Sequence, residues 1–378
     1  MSLAIHEFER GGRREDEAVD AFLAAHPCPI VEGRSVTFVY RGEADAVFLE
    51  HWIYGLPSRQ PFTRIAKTSL WYRVIDLPAR SRVEYKLAVV EGGGERLIED
   101  PLNPLRAHDP FGTNSVCHGL GYETPGFALP DPEARPGDLE EVRVDSAAFS
   151  GTRRVGVYLP ARFRRTRRYP LLIVHDGQDY LRYSSLRCVL DNLIHRLEVA
   201  PLIAVLVQTS QRLTEYADDP AHARFLTDEI VPAIAARYPL IDHPASRGLM
   251  GASFGAVASL STAWRRPGYY GRLLLQSGSF AFTDVGESRR GPVFEPVVRF
   301  MNRFRESPGR PSERVFLSCG MYESLIYENR SLVPLLQETG MSLRFVEARD
   351  GHNWENWRDR LEQGLSWLFP GPLLMVYE

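Results

Sequence analysis

The chain has 378 residues, 44% of them hydrophobic and 25% charged, with a formal net charge of −3 at pH 7. Such a composition describes an ordinary soluble globular protein with length for two domains, and it gives no reason to expect nucleic acid or an anionic membrane as partner. No stretch approaches the roughly 18 apolar residues needed to span a membrane, and Met1 to Arg10 lacks the basic and apolar regions of a signal peptide, so a cytoplasmic location is expected.

In chain order, Asp16 to Ala25 has the spacing of a short amphipathic helix. The runs Arg34 to Tyr40, Ala46 to Glu50, Leu70 to Ile75 and Val83 to Val90 are rich in β-branched and aromatic residues and separated by turn residues, which predicts a small antiparallel sandwich. Residues Glu123 to Asp138 contain four prolines and two glycines, the composition of a connector. The expected domains are therefore 1–125, a linker 126–138, and 139–378. Beyond the linker, apolar runs at Pro170 to His175, Pro201 to Val207, Arg247 to Met250, Arg272 to Gln276, Arg314 to Ser318 and Leu343 to Glu347 alternate with helical patterns at Ser185 to Val199 and Ala221 to Arg237. That alternation predicts an α/β fold, a mostly parallel sheet with helices on both faces. The arginine-rich run Arg162 to Arg168 reads as a solvated loop between two strands, and Ala281 to Glu313 as a lid or wall. Cys28, Cys117, Cys188 and Cys319 have no metal-ligand spacing, so reduced thiols are expected, with a Cys28–Cys117 pairing as the alternative.

Gly251-Ala-Ser-Phe-Gly255 joins an expected strand to an expected helix. Glycines at both ends let the backbone turn sharply enough to expose a serine hydroxyl at the strand end, which makes Ser253 the candidate nucleophile. Serine needs a base, and among ten histidines His352 directly follows the last expected strand. The bland alternative is a capping or surface histidine ahead of the helical run Trp354 to Phe369. The acid between them is expected to be Glu323, in another strand-end loop, with Asp284 and Asp350 as rivals. Backbone amides of Phe254 and Gln178 are the expected oxyanion donors. His175, Asp176 and Asp179 offer ligand atoms, but no partner cluster supports a metal site, and no metal or organic cofactor is expected.

Asp176-Gly-Gln178, Arg212 with Glu215, Phe225, Glu229-Ile-Val-Pro232, the elbow pentapeptide, Gln276-Ser-Gly-Ser279, Gly320 with Glu323, and Gly351-His352 with Trp357-Arg358 stand in one order along residues 140 to 370. In these motifs the chain resembles the Putative esterase family of α/β-hydrolases, and within it the enterochelin esterases. Trp71, Tyr85-Lys-Leu87 and Asp100-Pro-Leu-Asn-Pro104 resemble the immunoglobulin-like amino-terminal domain of the same enzymes. The resemblance implies an α/β-hydrolase domain preceded by an immunoglobulin-like β-sandwich, and a serine esterase cutting the trilactone of a catecholate siderophore. Acetyl and feruloyl esterases acting on carbohydrate share the catalytic domain and give the alternative. Some trilactone hydrolases work with serine and histidine alone, which leaves the role of Glu323 open.

Tyr180, Arg182, Tyr183, Arg212, Phe280, Tyr322 and Trp354 are expected near the mouth, with Arg212, Tyr180, Tyr322 and Trp354 as substrate contacts. The expected partner is a small-molecule ester. A different class is a carbohydrate-binding protein with an inert hydrolase half, in which Trp52, Trp71 and Tyr85 would stack on sugar rings. It requires those rings to lie exposed in one plane.

Overall fold

The computed structural model describes residues 2–12, 14–283 and 291–372. Two compact units emerge. The first comprises Met1–Glu123 together with Gly320–Glu323 and Ala348–Asn353, and the second holds Thr124–Cys319, Ser324–Glu347 and Trp354–Glu378. The two late segments of the first unit have no counterpart in a boundary drawn by linear position.

The first unit contains two antiparallel sheets. Ile30–Glu32, Ser35–Arg41, Leu70–Asp76 and Thr63–Arg64 form one, in that spatial order. Arg59–Pro61, Ala46–His51, Arg82–Glu91, Gly112–His118 and Arg106–Asp109 form the other, with Gly94–Ile98 paired to Arg82–Glu91. Period-two alternation explains their packing. Val36, Phe38 and Tyr40 of the first sheet meet Val47, Leu49, Val83, Tyr85 and Leu87 of the second in a shared core. Val39, on the opposite face of the same strand, packs with Val19 and Phe22 of the helix Asp16–Ala25 and Ile5 of the helix Ala4–Arg10. Trp71 and Tyr85 are therefore core residues, 7% and 0% exposed, while Trp52 is 56% exposed. That burial removes the sugar-stacking platform, because two of its three rings have no free face.

The second unit is built on an eight-stranded sheet. Its spatial order is Asp138–Ser146, Gly151–Leu159, Ile203–Val207, Leu171–His175, Arg247–Ala252, Arg272–Gln276, Arg314–Gly320, Ser342–Ala348. A hairpin opens the sheet, and the pairings from Ile203–Val207 through Arg314–Gly320 are parallel. Both faces are covered, which is why these strands are continuous apolar runs. Ile173, Val205, Leu249 and Leu273 point into one cluster, with the helices Phe254–Arg265, Glu295–Glu306 and Ile326–Glu338. Leu172, Ala204, Met250 and Leu274 point into the other, with Leu186–His195 and Leu361–Leu368.

The order in which strands are added reverses around Leu171–His175, whose parallel neighbours on its two sides both come from later in the chain. At such a switch point loops diverge at the carboxyl ends of the strands and leave room for a site. Some elements differ from the sequence pattern. The helical stretch from Pro220 to Ala235 is interrupted by a π-turn at Phe225–Ile230; Pro232 lacks a donor and crowds the preceding turn, which a widened turn accommodates. The run Trp354 to Phe369 is two helices, Trp354–Asp359 and Leu361–Leu368. Part of Ala281 to Glu313 lies outside the described residues; the remainder carries the helix Glu295–Glu306. The four cysteines are free thiols, so Cys28 and Cys117 are not paired. Among the described residues no helix is long and apolar enough to cross a membrane.

Candidate active site

Ser253 sits between the strand Arg247–Ala252 and the helix Phe254–Arg265 with φ 56° and ψ −118°. A non-glycine residue there costs on the order of 1–3 kcal/mol and persists only where the surroundings enforce it. Here the surroundings do so at both ends. The Ser253 amide donates to the Gln276 carbonyl at 2.9 Å, and the Ser253 carbonyl accepts from Ala256 at 3.2 Å. Gly251 is a steric requirement, since a Cβ there would stand 2.4 Å from the Gly255 backbone, and a Cβ on Gly255 would crowd His175 Cβ at 3.1 Å. The serine hydroxyl is half-buried and lies 3.2 Å from the Ser279 hydroxyl.

The Phe254 amide opens its helix, where backbone donors have no intrahelical acceptor. Gln178 is the second residue of another, Gly177–Tyr183, which follows a left-handed Asp176 at φ 53°. Its amide makes a long 3.3 Å contact with Gln208 Oε1. Both amides thus belong to helix N-termini, where positive partial charge favours an anion.

Glu323 and His352 come together in the first unit. Glu323 Oε2 lies 2.7 Å from His352 Nδ1, and Glu323 Oε1 accepts the Gly320 amide at 2.8 Å. The carboxylate is enclosed, with a side chain 1% exposed, whereas the imidazole is 39% exposed. With Nδ1–H donating to the carboxylate, Nε2 keeps its lone pair and is the basic atom. Asp350 is used otherwise. Its Oδ1 accepts from the Gly351 amide and from Asn353 Nδ2, each at 2.7 Å, and faces Arg82 NH1 at 3.4 Å. Burial pushes its carboxyl up to about 6, with Arg82 pulling the other way. Asp284, the other rival, lies outside the described residues.

The expected substrate contacts fare unevenly. Tyr180 is fully buried and donates to Gln276 Oε1 at 2.7 Å, and Phe280 is likewise enclosed. A side chain without exposed surface touches no ligand, so Tyr180, expected as a substrate contact, is corrected to a buried support, and Phe280, expected near the mouth, lies in the core instead. Trp354, 8% exposed, packs edge-on against Tyr180 at 5.2 Å and belongs to the same layer. Tyr322 is half-buried and shares a 2.6 Å hydrogen bond with Ser81. Arg212 Nε donates to Asp176 Oδ2 at 2.8 Å, and its NH2 donates to the Ala252 carbonyl at 3.1 Å, one residue before Ser253. Glu215 pairs with Arg153, not with Arg212. His175 is occupied within the core, with Nε2 3.0 Å from His222 and Nδ1 3.0 Å from the Met250 carbonyl; burial holds it neutral, down to about 4. Sequence reasoning missed the Arg82 and Asn353 partners of Asp350: Arg82 stands 268 positions away, where no local pattern reaches, and Asn353, though only three residues on, belongs to no motif that marks it.

A strained elbow serine, amides at two helix N-termini and a carboxylate-held imidazole are the parts of acyl-transfer chemistry. The family described as "Putative esterase" matches residues 146–368. The iron(III) enterobactin esterase of Escherichia coli (strain K12) is 25% identical over 333 residues, 81% of each chain. An endo-1,4-beta-xylanase/feruloyl esterase of Xylanibacter ruminicola is 22% identical over 80% of this chain and 40% of its own length. Among solved structures, the ferric enterobactin esterase of Salmonella typhimurium superimposes with a TM-score of 0.74 at 22% identity, covering 88% of this chain and 93% of that one. That likeness speaks for the fold, an α/β-hydrolase-like domain. Together with the family match, it makes this chain a member of the Putative esterase family and a carboxylic ester hydrolase.

Proposed function

We propose that this esterase opens the ester bonds of a catecholate siderophore trilactone through an acyl-enzyme on Ser253. The observation that carries the reading is the 2.7 Å contact between Glu323 and His352 Nδ1, which orients the ring and fixes the tautomer in which Nε2 is the basic nitrogen. In this scheme His352 Nε2 takes the Ser253 proton as Oγ attacks the ester carbonyl. The amides of Phe254 and Gln178 donate to the oxyanion, and Glu323 stabilises the imidazolium without taking its proton. His352 then protonates the departing alkoxide. Water attacks the acyl carbon and gives a proton to His352, which passes it to Ser253 Oγ as the Oγ–acyl bond breaks, releasing the acid and restoring the serine.

Relatives named as iron(III) enterobactin esterases align over most of both chains, which supports the siderophore reading. Arg182, whose guanidinium lies 5.2 Å from the Tyr183 ring centroid, is an exposed cation suited to a catecholate's charge and ring. The second reading is a carbohydrate esterase of feruloyl type, favoured by the feruloyl esterase alignment over 80% of the chain. Comparing initial rates on a catecholate trilactone, a feruloyl sugar and short p-nitrophenyl esters separates them. Trilactone cleavage at the highest kcat/KM is expected; efficient sugar-ester turnover with an intact trilactone would establish the second reading.

A further inference from the structure

The strand Arg82–Glu91 begins with an arginine whose side chain is 3% exposed. A guanidinium cannot shed its charge at any ordinary pH, so one this deeply enclosed needs acceptors around it. Three are present. Arg82 NH1 lies 3.1 Å from Glu84 Oε1, 3.1 Å from Asn353 Oδ1 and 3.4 Å from Asp350 Oδ1. Glu84 is itself fixed from the other side, its Oε2 accepting from Asn114 Nδ2 at 2.8 Å.

The acceptors Asp350 and Asn353 bracket His352. Asp350 Oδ1 gathers the Gly351 amide and the Asn353 side chain, and the Arg82 backbone amide donates to the Arg349 carbonyl at 2.9 Å. Arg349, Asp350, Gly351 and Asn353 are thus tied to Arg82 directly or through Asp350. The acid's loop joins the same frame: the Tyr322 amide donates to the Asp350 carbonyl at 3.1 Å, and the Tyr322 hydroxyl meets Ser81, the residue before Arg82. We propose that Arg82 is a positioning residue, which holds the loop Arg349–Asn353 so that the His352 imidazole is presented in register with Glu323. The first unit then supplies geometry to the catalytic base as well as a fold of its own. The inference rests on the assignment of His352 as base in the preceding subsection.

Misplacement of a catalytic group by about 1 Å costs roughly a hundredfold in rate, while binding surfaces elsewhere are unaffected. Arg82→Met should therefore lower kcat by about ten- to a hundredfold with KM within about twofold of wild type. The same variant should shift or broaden the downfield proton resonance of the His352 Nδ1–H bonded to Glu323, and slow fluorophosphonate labelling of Ser253. Arg82→Lys, which keeps a donor on the same path, should recover part of kcat. Asn353→Ala removes one anchor without stranding a charge and serves if Arg82→Met does not fold; a severalfold fall in kcat with unchanged KM is expected. Wild-type kcat and an unshifted resonance in a folded Arg82→Met, or in Asn353→Ala where that variant decides, overturn the proposal. Ser253→Ala and His352→Ala are measured alongside. If these stay active the catalytic assignment itself fails, whereas if they are inert and the Arg82 and Asn353 variants match wild type, the role of Arg82 alone falls.

Discussion

The backbone at Ser253 is set by residues within two positions on either side, the glycines at 251 and 255, and by the strand and helix they join. His352 is placed by groups far away in sequence: its acid is 29 residues upstream, and Asn353 beside it is held by an arginine 271 positions away. One half of the proposed machinery is thus local and strained, and the other is long-range and hydrogen-bonded. The contrast implies different failures. Added bulk at the elbow glycines should register as lost folding stability as well as lost rate, while changes around the acid and base should register as lost rate with the fold retained.

The largest expected effect is on the nucleophile. Ser253→Ala should lower ester turnover by more than about a thousandfold with an unchanged thermal midpoint within a few degrees. Ser253→Gly should be equally inert yet more stable by about 1 kcal/mol, since glycine adopts φ 56° without strain. An unstrained wild type would show no such gain. Next comes Glu323→Gln, which keeps the shape but offers a donor where a carboxylate accepts Nδ1–H; kcat should fall about a hundredfold or more with the denaturation curve retained. A wild-type rate would mean that serine and histidine suffice without an acid.

Gly251→Ala addresses the local half. A Cβ 2.4 Å from the Gly255 backbone has nowhere to go, so a loss of about 3 kcal/mol is expected in urea unfolding, well above that of an ordinary glycine replacement. The elbow also rests on His175, buried neutral with its value held down to about 4. The unfolded chain takes up a proton near pH 6.5 where the folded one does not, so the stabilisation is complete above that pH. It is lost progressively as pH falls toward 4, by up to about 3 kcal/mol from this group. Urea midpoints measured between pH 7 and 4 should show that slope, and a flat profile would contradict a neutral buried pair with His222. The smallest effect belongs to Tyr180→Phe, which removes one buried hydrogen bond to Gln276 and should cost about 1 kcal/mol with KM unchanged.

The elbow was legible because its chemistry is written in five consecutive residues, and the central strands because burial on both faces makes them uniformly apolar. The pairing of Glu323 with His352 was legible less directly, from the place of each after a strand. Tyr180 was misplaced for a definite reason. It lies on a short helix beside the expected oxyanion loop, but helical geometry turns its ring down onto Gln276 and Trp354, and sequence spacing does not report which face a seven-residue helix buries. The tie between Arg82 and Asp350 was invisible for another reason. Neither residue sits in a motif, and the two meet through tertiary folding alone.

The central claim is that Ser253 is a nucleophile activated by His352. Intact-mass spectrometry after brief exposure to a fluorophosphonate tests it most directly, with the adduct located by peptide mapping. A single adduct on the peptide carrying Ser253 is expected, absent from Ser253→Ala and formed at least about a hundredfold more slowly in His352→Ala. Labelling of Ser253→Ala at the wild-type rate, or a wild-type rate in His352→Ala, would contradict it.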